Sequence, residues 1–215
     1  METKSPAREG RGLCAPALRC AAILVLFPCL ALSQARDLSG RRPPLRTVQD
    51  IFRLSKTEAA NAYPIELEAV VTYSDPEWGL LFVQDQTGTT FIDVHGSSTK
   101  YPRGARVRVD GVSTAGDNGP AIAQVRIFVL GRGVLPNPEQ RSIAELDTGA
   151  GESHWVVTEG VLHPCYNNWP RACFRVFDGK KLVWLAVPEP DSTAAQSLIG
   201  ATVKVKGVSG SISTM

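Results

Sequence analysis

With 215 residues, a formal net charge of +2 and 43% hydrophobic residues, the chain is long enough for two small domains and too apolar to be disordered. The surplus positive charge lies at the front: residues 63–141 carry seven Lys/Arg against nine Asp/Glu, and residues 142–215 carry six against seven. A slightly acidic body argues against a nucleic-acid partner, because phosphate contacts call for clustered Lys and Arg.

Arg8, Arg11 and Arg19 lead into an apolar run over 21–32, broken by Pro28, and Ser33 and Ala35 then bracket Gln34. A basic lead, a short apolar stretch and a small-x-small site predict a secretory signal over residues 1–35, hence export. An uncleaved anchor is the alternative, but the run falls short of the roughly 20 residues that span a bilayer. Residues 36–62 read as a helical lead-in. Thr47 caps a helix through Leu54, and Ser55-x-x-Glu58 is a capping box for a second helix over 55–61. Val48, Ile51, Phe52 and Leu54 give the first helix one apolar face, expected to pack on the first barrel.

From residue 63 the period becomes two. Residues 63–131 form a first unit with strands expected over 65–73, 80–85, 90–95, 106–113 and 121–130. Val107, Val109 and Val112 alternate with Arg108 and Asp110, as in a half-buried strand. Asp85-Gln86-Thr87-Gly88 turns the second strand into the third. A linker over 132–153 comes next, stiffened by Pro136 and Pro138 and ending in a short helix headed by Ser142-x-x-Glu145. Residues 154–215 supply strands over 156–163, 172–178, 182–187 and 201–209, with Asp178-Gly179 as a two-residue turn and a short helix over 192–198. A fifth strand should start near Ile212, and the chain stops at Met215; the expectation is a fragment of a longer protein.

An internal repeat ties the two units together. Gly104-Ala105-Arg106-Val107-Arg108-Val109-Asp110-Gly111-Val112-Ser113 matches Gly200-Ala201-Thr202-Val203-Lys204-Val205-Lys206-Gly207-Val208-Ser209. Glu68 to Val71 matches Glu159 to Leu162, Trp78 matches Trp169, Val83-Gln84-Asp85 matches Val176-Phe177-Asp178, and the two Ser-x-x-Glu boxes match each other. The fold expected is all-β with short helices: tandem OB-like five-stranded barrels, the second lacking its last strand. A short β-sandwich is the competing architecture.

Three of the five cysteines, Cys14, Cys20 and Cys29, fall in the leader, which leaves Cys165 and Cys173 flanking one loop. In an exported chain a disulfide is the first reading and free thiols the second. A zinc site with His154 and His163 ranks last, because the spacing is not that of a metal motif. Tyr73, Trp78 and Phe82, and Tyr166, Trp169 and Phe174, gather around the first hairpin of each unit. In OB-type folds that region faces ligands, so Tyr73, Trp78, Tyr166 and Trp169 are the candidate ligand-binding residues, with the two phenylalanines assigned to the core. His95, His154 and His163 sit in no nucleophile–base pattern, and Asp75, Glu77 and Asp85 read as turn formers. No catalytic motif, metal site or cofactor site is expected.

The segments Tyr63-Pro64-Ile65, Val70-Val71-Thr72-Tyr73, Leu81-Phe82-Val83-Gln84-Asp85-Gln86-Thr87-Gly88 and Gly104 to Gly111 resemble the exported N-terminal region of certain bacterial sensor histidine kinases. The resemblance runs from about Leu45 to the end. It implies tandem barrels on the periplasmic side of the inner membrane, followed by a transmembrane helix and a cytoplasmic kinase. The implied role is non-catalytic sensing of a small molecule or a periplasmic protein, with a homodimer as the signalling unit. Similar barrels accompany exported hydrolases, so a nucleic-acid- or glycan-binding accessory domain is the alternative.

Overall fold

The computed structural model describes residues 42–166, 172–188 and 191–210. The expected leader, Trp169 and the strand expected from Ile212 lie outside these residues.

Capping decides where the helices begin. The hydroxyl of Thr47 accepts the N–H of Asp50 at 3.1 Å, and the Asp50 carboxylate accepts the N–H of Thr47 at 3.2 Å, which closes a capping box at the head of α1 (Val48–Phe52). Ser55 with Glu58 does the same for α2 (Lys56–Ala59), and Ser142 with Glu145 for α3 (Ile143–Asp147). Helices this short do not persist alone; each is held by what it buries, Val48 and Ile51, then Ala59, then Ile143. Phe52 departs from the expected packed face and is 50% exposed.

The first repeat is one antiparallel sheet of β1 (Pro64–Asp75), β2 (Leu80–Gln84), β3 (Thr89–Asp93), β4 (Ala105–Gly116) and β5 (Gly119–Arg132), in the order β3-β2-β1-β4-β5. Alternation sends Leu67, Ala69 and Val71, Leu81 and Val83, Ile92, Val107 and Val109 to one face, where they meet Val48 and Ile51 of α1. Each fully buried Val, Leu or Ile of this set contributes about 1.5–3 kcal/mol relative to an exposed one. The second repeat comprises β6 (Glu139–Gln140), β7 (Trp155–Pro164), β8 (Ala172–Phe177), β9 (Leu182–Val187), α4 (Asp191–Gln196) and β10 (Thr202–Val208). Its antiparallel strands run β10-β7-β8-β9, with β6 parallel to β7, over a smaller core of Ile143, Leu162, Phe174, Val176 and Val187.

The repeat holds at the level of hydrogen bonds. β1 and β4 pair from Pro64↔Val112 to Val70↔Arg106, and β7 and β10 pair from Trp155↔Val208 to Val161↔Thr202, seven matched pairs each. Gly104 N–H donates to the Val71 carbonyl, and its counterpart Gly200 N–H donates to the Leu162 carbonyl, both at 2.8 Å. Both first strands also take a parallel neighbour at the same place: Leu45 bridges Ile65, and Glu139 pairs with Val156. Measured from that bridge, α3 corresponds to α1 and not to α2, with which the Ser-x-x-Glu spacing pairs it. α2 is extra to the first repeat; its Ala59 carbonyl accepts the Ser113 hydroxyl at 2.8 Å.

Several expectations need correction. The sheets are open: β3 and β5 are edges of the first, β9 and β10 of the second, and no ladder among the described residues closes either. Between β3 and β5 lies a cavity of about 460 Å³, lined in part by Val94, Tyr101, Ile122 and Val125. The segment read as a linker contains β6, since Glu139 and Gln140 find their backbone partners on β7. The turn at Asp178 fills the four residues between Phe177 and Leu182, with Asp178 N–H donating to the Lys181 carbonyl across Gly179 and Lys180.

Candidate ligand-binding face

Residues that alternate away from the two cores build a stripe across the outer face of each three-stranded segment. In the first repeat Tyr73 pairs with Phe82, and Phe82 pairs with Phe91, across β1, β2 and β3. Their ring centroids are 6.5 and 5.5 Å apart, tilted by 46° and 49°. Distances of this size are those of interacting aromatic pairs. Phe82 is buried, as expected, but it lies outside the cluster that Leu81 and Val83 join and packs between Tyr73 and Phe91. Phe174, by contrast, is a core residue. Phe91 is 40% exposed and offers the open end of the stripe.

At the equivalent pairs of the second repeat, His163 opposes Arg175 and Arg175 opposes Trp184, across β7, β8 and β9. His163 meets the ring of Phe177 edge-on at 6.0 Å. Arg175 Nε–H donates to the Pro164 carbonyl at 3.1 Å, which fixes the guanidinium beside the strand. Trp184 is 54% exposed. Next to this stripe Cys165 and Cys173 are joined in a disulfide with 5.3 Å between Cα atoms.

The sequence-derived candidates divide accordingly. Tyr73 lies on the first stripe. Trp78 is half-buried in the turn between β1 and β2. That turn is organised by Asp75, which accepts the N–H groups of Glu77 and Trp78 at 3.1 and 3.4 Å and the Tyr73 hydroxyl at 3.2 Å. Tyr166 is 93% exposed beside the disulfide, and Trp169 lies outside the described residues. Phe91, Arg175 and Trp184 were missed. The signal was present: Phe82 and Phe91 occupy the register positions of Arg175 and Trp184, so the repeat alignment carried into the hairpin would have found them.

Two acid–histidine pairs flank these faces. Asp93 Oδ1 lies 2.6 Å from His95 Nδ1, and the N–H of His95 with its ring holds the Asp93 carboxyl below its usual range. Ser97 lines the same cavity, but its hydroxyl accepts the N–H of Thr99 at 3.2 Å and makes no hydrogen bond to the imidazole. The other pair joins Glu139 of β6 to His154 at 2.8 Å, and Arg141 completes it at 2.7 Å. His154 and His163 have separate partners, and no group of three or more metal-ligating residues occurs among the described residues. No described helix is long and apolar enough to cross a membrane.

Comparison with protein-family models and with curated proteins finds no match to this chain.

Proposed function

We propose that the two repeats are partly open OB-type units forming a non-catalytic, exported ligand-binding module, the sensing half of a membrane-bound histidine kinase. The observation that carries the reading is the outer-face stripe, present at the same register in both repeats although its residues differ: Tyr73, Phe82 and Phe91 in one, His163, Arg175 and Trp184 in the other. The exposed rings at the open ends of the stripes, Phe91 and Trp184, can stack a planar or sugar ring at small entropic cost, because the sheet holds them before the ligand arrives. The resemblance to exported sensor regions supplies the parent protein, and the open sheet edges give a bound ligand a route to alter strand geometry and a paired copy.

The test titrates the protein with a neutral oligosaccharide and with single-stranded oligothymidylate, following tryptophan fluorescence. Stacking is worth about 1–3 kcal/mol per ring, so Phe91→Ala or Trp184→Ala should each weaken binding about fivefold or more with the fold intact. Silence from both ligands, or unchanged affinity in both variants, overturns the binding face. The parent is tested separately: an apolar run of about 20 residues should be encoded after residue 215, and its absence refutes the sensor reading. Arg175 beside Trp184 favours a second reading, an accessory binding domain of an exported hydrolase, which strong preference for the oligothymidylate would support.

A further inference from the structure

The shared ladder of β4 and β10 allows a residue-by-residue comparison of their outer faces. On β4 the outward residues Arg108 and Asp110 pair with each other at 3.0 Å. Across the ladder Arg108 faces Glu68 and Asp110 faces Glu66, and Glu66 is in turn bound by Arg46 at 2.9 Å. The cations of this face are answered by its own carboxylates. On β10 the same two positions are Lys204 and Lys206, both exposed. Glu159 faces Lys204 and the apolar Val157 faces Lys206. The acid of the first repeat has become a second cation, and two like charges stand about 7 Å apart on one side of a strand.

A third cation joins them from the other repeat. Arg103, in the loop before β4, places its guanidinium 5.5 Å from the centroid of the Trp155 ring, and Trp155 is 5% exposed. Stacking on a ring holds the guanidinium without engaging its N–H donors with a carboxylate. Arg103, Lys204, Lys206 and Trp155 line one open cleft of about 600 Å³, walled on the far side by Pro136 and Pro138. None of the three cations makes an ion pair with a carboxylate among the described residues. The volume is that of a small-molecule site.

We infer that this cleft binds a small polyanion carrying at least two phosphate or carboxylate groups, one on the Arg103 fork and one on the Lys204–Lys206 pair. An arginine fork suits a planar or tetrahedral oxyanion through paired N–H bonds, and the lysines act as point charges. Such a ligand bridges the two repeats, because Arg103 belongs to the first and both lysines to the second. The site is separate from the aromatic stripes and stands or falls independently of them.

The experiment is calorimetric titration of the chain with pyrophosphate and with citrate at low salt, repeated on three variants. Lys206→Asp restores the charge pattern of β4 and should weaken binding by at least about tenfold, since one attractive charge becomes repulsive at close range. Arg103→Gln, in the other repeat, should also weaken it, which keeps the test valid if the first variant misfolds. Lys56→Asp, an equal change of net charge at the start of α2, should leave affinity within about twofold. The indole N–H signal of Trp155 should shift on saturation. Preference for pyrophosphate or for citrate assigns the ligand to phosphates or carboxylates. Absence of binding by both anions, or equal weakening in Lys56→Asp, overturns the inference.

Discussion

Gly111 and Gly207 hold the same place on β4 and β10, yet alanine should act on them with opposite sign. A Cβ built at Gly111 would lie 2.8 Å from the Ala123 carbonyl oxygen and 2.9 Å from Ile122 Cγ2, both on β5. The oxygen belongs to a ladder strand and cannot swing aside, so β5 must move by several tenths of an ångström. Overpacking of this kind costs about 1–3 kcal/mol. At Gly207 nothing lies within 4 Å of the added atom, because no described strand flanks β10 on that side. There the substitution keeps only its effect on the unfolded chain, a gain of about 0.4–1 kcal/mol. The unfolded-chain gain is common to both, so the two variants should differ by the packing cost, about 1–3 kcal/mol, read as a lower urea midpoint for Gly111→Ala and a slightly higher one for Gly207→Ala. A neutral or stabilising Gly111→Ala would refute the packing argument. A comparable loss at Gly207 would mean that something covers the far edge of β10.

Asp85 accepts the Thr87 and Gly88 N–H groups and the Thr87 hydroxyl on one oxygen and the Val48 N–H on the other, all between 2.7 and 2.9 Å. Asp85→Ala should cost about 2–3 kcal/mol and speed hydrogen exchange at Val48 and Gln49, and unchanged exchange there would show that α1 is held by its apolar face alone. Replacing Cys165 and Cys173 by serine opens a loop of sequence separation 8, for which chain entropy gives a loss of about 2.5 kcal/mol, measurable by urea denaturation against the parent chain. Glu139 is held below its ordinary value of 4.5, first by its hydrogen bond to His154 and then by Arg141. A depressed carboxyl stabilises the fold above the unfolded value, and that stability is lost as pH falls through the lower folded value. Glu139→Gln should flatten this acid limb of the stability curve, and an unaltered limb would place the acid sensitivity elsewhere.

The strands and the tandem were legible because the decisive residues are local: alternating Val107 and Val109, the Asp85 turn, and glycines bracketing β4 and β10. Two capping boxes and the Thr47 cap announced three helices for the same reason, since each is made within four residues. What failed was long-range. β6 is two polar residues that become a strand only because β7 offers a free edge beside Val156 and Val157. Phe82 is apolar and buried as its composition suggests, but only the register shows that it packs with Tyr73 and Phe91 and not with Leu81 and Val83. Trp78 drew attention through closeness in sequence, while Phe91 on β3 and Trp184 on β9 carry the exposed end of each stripe. The Lys204–Lys206 substitution was visible in the repeat alignment, but its meaning needed Arg103, which the chain brings in from the other repeat.

The parallel pairing of β6 with β7 also has a mechanical side. β5 ends at Arg132 and β6 begins at Glu139, and of the segment 133–138 two residues are proline with fixed φ. Gly133 is itself fastened to the Gly104 carbonyl at 2.8 Å. Little slack is left for the repeats to swing like beads on a string. A twist applied to β5 passes through a stiff crank into β7, the central strand of the next sheet, and from there to β10 and β8 together.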